Sequence, residues 1–151
     1  MQQGRGWGAM RQAVPFGWSD SLATGIPEID RQHIELVDMF RTLAALEHGG
    51  DRAAVRAALE ELIAHVCKHF DDEEQLMRRH HYAELPSHAQ AHDLLLRQIH
   101  SFVSLLDAAP DGDAGVDIID FVGKWLVVHM QQDDHRLGAF LKAEAKPCEV
   151  A

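Results

Sequence analysis

The chain has 151 residues, of which 46% are hydrophobic, enough apolar material for the core of one ordinary domain and too much for a disordered chain. Its 14 Lys and Arg against 24 Asp and Glu give a formal charge of −10, which repels phosphate backbones and anionic lipid and sets nucleic acid and membrane surfaces aside as partners. No apolar run approaches the ~20 residues of a membrane span, and the longest, residues 121–130, is broken by Lys124 and His129.

The first residues, MQQGRGWGAMRQAVPFGW, lack the continuous apolar stretch of a secretory signal. The two cysteines, Cys67 and Cys148, make no disulfide framework, so a reducing, cytoplasmic setting is expected. Residues 1–17 read as a partly mobile N-terminal extension, 18–145 as a helical domain and 146–151 as a tail. Pro27 suits a first helical position, and Ile29, His33, Leu36, Val37, Phe40, Leu43 and Ala44 then recur at threes and fours up to the Gly49-Gly50 break. Asp51 can cap a second helix with the stripe Val55, Leu59, Leu62, Ile63, Val66, His69, Phe70, Glu73, Leu76 and Met77; its end carries Arg78, Arg79 and His80, cations suited to a helix C-terminus. Leu85-Pro86 predicts a break and Ser87 a cap for a third helix, with His88, His92, Leu95, Ile99, Phe102 and Leu106 on its face. After the loop residues 110–115, a fourth helix carries Ile118, Phe121, Val122, Trp125, His129, Leu137, Phe140 and Leu141 and stops before Pro147. No segment has strand periodicity. Long helices with short connections predict an all-α fold, an antiparallel up-down-up-down four-helix bundle preceded by an N-terminal arm.

Six polar residues, His33, His69, Glu73, His88, His92 and His129, fall on the apolar stripes and hence in the expected core. A buried polar group must be paired or coordinate a metal. His69 and Glu73 are four apart and share a helix face, as do His88 and His92. Asp134 lies five residues after His129, ~140° round an α-helix at ~100° per residue, and this geometry does not choose it over Asp133. Each spacing alone is weak, since His65 and His69 make the same pattern among eleven histidines. The joint order is specific: a lone His, then HxxxE, then HxxxH, then HxxxxD, one group per helix.

Trp18 with GIPEIDRQH, then HFDDEEQLM, HAQAH, HMQQDD and LGAFL closely resemble the hemerythrin family, and its single-domain bacterial members in particular, from about Trp18 to Leu141. The resemblance implies a four-helix bundle around a non-haem di-iron centre that binds dioxygen reversibly. By the same resemblance His88, His92 and His129 serve one iron and His33 and His69 the other. Glu73 and Asp134 bridge the two, and Asp133 is left at the surface. Five imidazoles, two bridging carboxylates and a bridging oxo or hydroxo leave one open position on an octahedral pair, on the two-histidine iron. Trp125, one turn before His129, matches a position lining the oxygen pocket. Gln131 stands where some members carry an apolar leucine near the oxygen; it either meets the ligand or water there, or points away. His65 is a partner to a ligand or an exposed helix histidine. His48, His80, His81, His100 and His135 are expected at the surface, Met39, Met77 and Met130 in the core, and Glu74 and Asp71-Asp72 on a solvated acidic face.

A single tetrahedral zinc is a poor match for seven ligands. A ferritin-like di-iron oxidase requires Glu-x-x-His pairs, and the sequence contains none. The expected function is oxygen storage or delivery, without enzymatic turnover and with an unidentified protein client. Sensing through a partner, and scavenging of peroxide or nitric oxide, are the rival uses of the same centre.

Overall fold

A computed structural model describes residues 17–48, 51–108 and 114–146. The expected arm as far as residue 16, the tail from residue 147 with Cys148, and the side chains of His48 and Ile118 lie outside the described residues. A 3₁₀ turn, Asp20–Leu22, precedes α1 (Pro27–His48), α2 (Arg52–Arg79), α3 (Leu85–Ala108) and α4 (Ala114–His129). A π-helical turn, Met130–Asp134, then leads into α5 (His135–Ala145). Helix α1 packs on α2 and α4, and α3 packs on α2 and α4, which closes a four-helix bundle with sequence neighbours adjacent.

Local chemistry sets each boundary. Before α1 the Asp30 carboxylate accepts hydrogen bonds from the Thr24 N–H (2.7 Å), the Thr24 hydroxyl (2.8 Å) and the Gly25 N–H (3.0 Å), which fastens the incoming strap to the helix. Gly25 stands at φ +81°, a conformation that side chains with a Cβ rarely adopt. Asp51 caps α2, accepting from the Ala54 N–H at 3.2 Å, and Arg78 and Arg79 occupy its last turn. Helix α3 starts at Leu85, three residues earlier than a cap at Ser87 predicts. Pro86 sits in the first turn, where a missing N–H leaves no bond unmade. Ser87 is not the cap: its hydroxyl donates to the Glu84 carbonyl at 3.0 Å.

The fourth helix is not continuous, because residues 130–134 widen into the π turn. The expected stripe there is also corrected at Phe121, which is 41% exposed, whereas Leu126 and Met130 are buried. Positions 122, 126, 129 and 130 face inward, which leaves residue 121 on the flank. Most of the remaining apolar pattern is buried, from Ile29, Leu36 and Phe40 in α1 to Leu137 and Leu141 in α5, while Ile63, Leu76, Phe102, Trp125 and Phe140 are partly buried at its edge.

The core has two apolar layers. One gathers Leu36, Val37, Val66, Leu95, Leu126 and their neighbours. The other gathers Ile29, Met77, Tyr82, Leu137 and Leu141. Between them lie His33, His69, Glu73, His88, His92, His129 and Asp134, all buried. Burying a Leu or Val side chain contributes roughly 1.5–3 kcal/mol, so the two layers can carry a polar stratum that would be unfavourable by itself.

Candidate metal centre

Each helix supplies its ligand candidates from the face its periodicity turns inward: His33 from α1, His69 and Glu73 from α2, His88 and His92 from α3, His129 from α4. Asp134 comes from the π turn. An α-helix would carry the fifth residue after His129 well round its axis, but the i to i+5 bonding of a π turn brings it back over the starting residue. The Asp134 Oδ1 accordingly lies 3.0 Å from His129 Nε2. The structure brings all seven together in two overlapping groups whose donor atoms lie within 4.8 Å of one another. Glu73, His88, His92, His129 and Asp134 form one, and His33, His69, Glu73 and Asp134 the other.

The carboxylates belong to both groups, one oxygen to each. Asp134 turns Oδ1 to His88 and His129 (3.0 Å each) and Oδ2 to His33 (3.0 Å). Glu73 turns Oε2 to His92 (3.2 Å) and His88 (3.4 Å), and Oε1 to His69 (3.4 Å) and His33 (3.8 Å). All four oxygens are buried without a hydrogen-bond partner, as is His88 Nε2. Such orphaned groups cost on the order of 1–3 kcal/mol each, more when charged, unless a cation meets them. The imidazoles fit the same requirement. His33 and His69 place their Nε2 atoms 3.1 Å apart, and His92 and His129 theirs 3.0 Å apart. Two nitrogens each about 2.1 Å from one ion, at right angles, stand about 3.0 Å apart. A nitrogen- and oxygen-donor set of this kind suits iron, zinc or copper over calcium or magnesium.

Without a metal the cluster balances its own charge. Burial disfavours the charged form of His33, but the Asp134 and Glu73 carboxylates beside its Nε2 outweigh it and raise its pKa to about 9. The same contest raises His88 to about 10. Burial alone dominates at His69 and lowers it to about 4. Burial also opposes the charged forms of Glu73 and Asp134, yet the surrounding histidines hold both below the usual carboxylate range.

The far nitrogens of three rings are held from outside. His69 Nδ1 donates to Gln32 Oε1 at 2.6 Å, and the Gln32 amide donates to Asp72 at 2.8 Å. His92 Nδ1 donates to Glu74 at 3.1 Å and His129 Nδ1 to Asp133 at 2.9 Å. These bonds fix the tautomer and leave each Nε2 free to ligate. They correct two expectations, since neither Asp133 nor Glu74 is a plain surface charge, and Asp72 is reached through Gln32. The spacing of His129 and Asp133, i and i+4, carried a signal for one of these contacts; nothing in the sequence marked Gln32 or Glu74. Phe70 stacks on His92 (centroids 3.7 Å apart, 5° between planes) and Trp125 on His129 (4.5 Å, 16°). Gln131 is exposed, two residues on from His129 and near the opposite side of the helix, so it points away from the cluster. His65 is half exposed and lies 3.9 Å from Glu35. His80 pairs with Glu144 at 2.7 Å.

Residues 24–141 match the hemerythrin HHE cation binding domain. A bacteriohemerythrin of Pseudomonas paraeruginosa is 32% identical over 117 residues, 78% of this chain and 75% of that protein. A hemerythrin-like protein of Naegleria gruberi is 30% identical, covering 80% and 88%, and a myohemerythrin of Riftia pachyptila 29% identical, covering 81% and 90%. A crystal structure of wild-type hemerythrin superposes with a TM-score of 0.77 at 28% identity, over 85% of this chain and 98% of the other. The matched span begins at the strap ahead of His33 and runs beyond Asp134. Its fold, its polar stratum and its relatives agree, and the chain belongs to the hemerythrin family.

Proposed function

We propose that this chain holds two iron ions, bridged by an oxo or hydroxo group, and binds dioxygen reversibly for storage or delivery. The observation that carries the reading is the division of Glu73 and Asp134, each with one oxygen toward His33 and His69 and the other toward His88, His92 and His129. A single ion has no use for a carboxylate shared between two donor groups. When bound, the iron pair supplies two electrons that can be lent to dioxygen and recovered.

The chain's own residues set the terms. The group on His33 and His69 has four protein donors against five in the other, so a small ligand has room on the side with fewer. Phe70 and Trp125 wall the fuller side by stacking on its rings. The apolar layers above and below keep water away from the bound gas. Five neutral imidazoles against two carboxylates offer few anionic donors to support high-valent iron, which favours binding over enzymatic turnover. The chain loaded anaerobically with ferrous iron should take two irons and develop a visible absorption band in air that argon removes over repeated cycles. A band that never reverses, or sustained catalytic consumption of added peroxide, overturns the reading.

A further inference from the structure

We infer that the contrast between Gln32 on one side and Glu74 with Asp133 on the other makes the His88, His92 and His129 half the first to give up an electron. The inference rests on the iron reading above and goes beyond it by assigning positioning residues that set the order of oxidation.

The unequal partners are seen directly. Two rings of the three-histidine half donate to carboxylates, His92 to Glu74 and His129 to Asp133. In the other half, His69 donates to a neutral amide and His33 Nδ1, buried, has no hydrogen-bond partner. A carboxylate on the far nitrogen makes an imidazole a more basic donor and stabilises the higher charge on the metal it ligates. A neutral amide does so weakly. Behind His69, Asp72 stands one bond further out across Gln32 and is paired with Lys68 at 2.7 Å. Lys68, and the arginines that Glu74 and Asp133 face, Arg78 and Arg136, are 72%, 56% and 61% exposed, so water screens all three charges alike. Gln32 itself is 7% exposed, so its neutrality is felt without such screening. Glu73 and Asp134 serve both halves and cannot create the difference.

The order is tested by oxidising the anaerobic diferrous protein stepwise with ferricyanide. Each step passes one electron to ferricyanide, giving ferrocyanide, and raises one iron from ferrous to ferric. Iron content and Mössbauer spectra count the metal, and spectroelectrochemical midpoints give the two couples. Glu74→Gln should raise the first couple and leave the second, and Gln32→Glu should lower the second and leave the first. Each should narrow the gap between them by at least a tenfold change in comproportionation constant, which is 59 mV for one electron. Asp133→Asn repeats the test on the three-histidine half should Glu74→Gln load poorly. Shifts of the opposite couple, or none in variants carrying two irons, overturn the inference. A parent chain that takes up no iron overturns the functional reading instead.

Discussion

At the scale of single residues, the decisive contrast is between Asp133 and Asp134, neighbours with different tasks. Asp134 is fully buried and shows an oxygen to each half of the centre. Asp133 is 26% exposed and meets the back of His129 and the Arg136 guanidinium. Asparagine at 134 would keep the shape but could offer an oxygen to one half alone, with an amide N–H₂ facing the other. Asp134→Asn should therefore bind at most one iron per chain. Asp133→Asn keeps an acceptor for His129 and should bind both, with affinity lower by roughly 10–100-fold, the usual effect of altering a ligand's hydrogen-bond partner. Metal analysis after desalting, with a chelator titration, separates the two. Equal iron content in both variants would mean that the π turn does not select the bridging residue.

Among elements, the π turn is the part of the site that spacing could not disclose. The stripes of α1, α2 and α3 were legible because each ligand candidate there sits at an α-helical interval from an apolar neighbour or another candidate: His33 between Ile29 and Leu36, Glu73 between His69 and Met77, His92 between His88 and Leu95. Beyond His129 the α-helical period fails, and residue spacing left Asp133 and Asp134 undecided until family resemblance chose. The partners of the far nitrogens were equally hidden. Gln32 adjoins His33 in sequence yet serves His69 across the helix interface, a pairing that no periodicity encodes. The element after the turn is fixed by a close approach. A Cβ added at Gly138 of α5 would stand 2.6 Å from the Thr24 carbonyl oxygen, a backbone atom with little freedom to retreat, since Asp30 holds Thr24 twice. Gly138→Ala gains helix propensity of up to about 1 kcal/mol, yet the clash should dominate and destabilise the protein by about 1–3 kcal/mol. Denaturant unfolding reads the sign, and a variant more stable than the parent would show that the strap does not pack on α5 so closely.

The whole molecule couples metal uptake to protons. In the iron-free chain His33, at about 9, and His88, at about 10, lie above the ordinary imidazole value of 6.5 because the buried carboxylates favour their charged forms despite burial. At neutral pH the imidazolium forms of His33 and His88 then face the carboxylates of Glu73 and Asp134. Iron requires neutral imidazoles, so it must displace both protons. His69, held near 4, is already neutral and releases none. The sign follows: protons compete with metal wherever the pH lies below these raised values, so apparent affinity climbs with pH through the neutral range and levels only toward 9 to 10. With two protons exchanged, affinity should rise by about a hundredfold per pH unit between pH 6.5 and 8, and more if a bound water also ionises. Anaerobic calorimetric titration with ferrous iron, in buffers of different protonation enthalpy, should count at least two protons released per chain. Uptake independent of pH would show that the two histidines are neutral before iron arrives, and that the two carboxylates wait for the metal with their charge uncompensated.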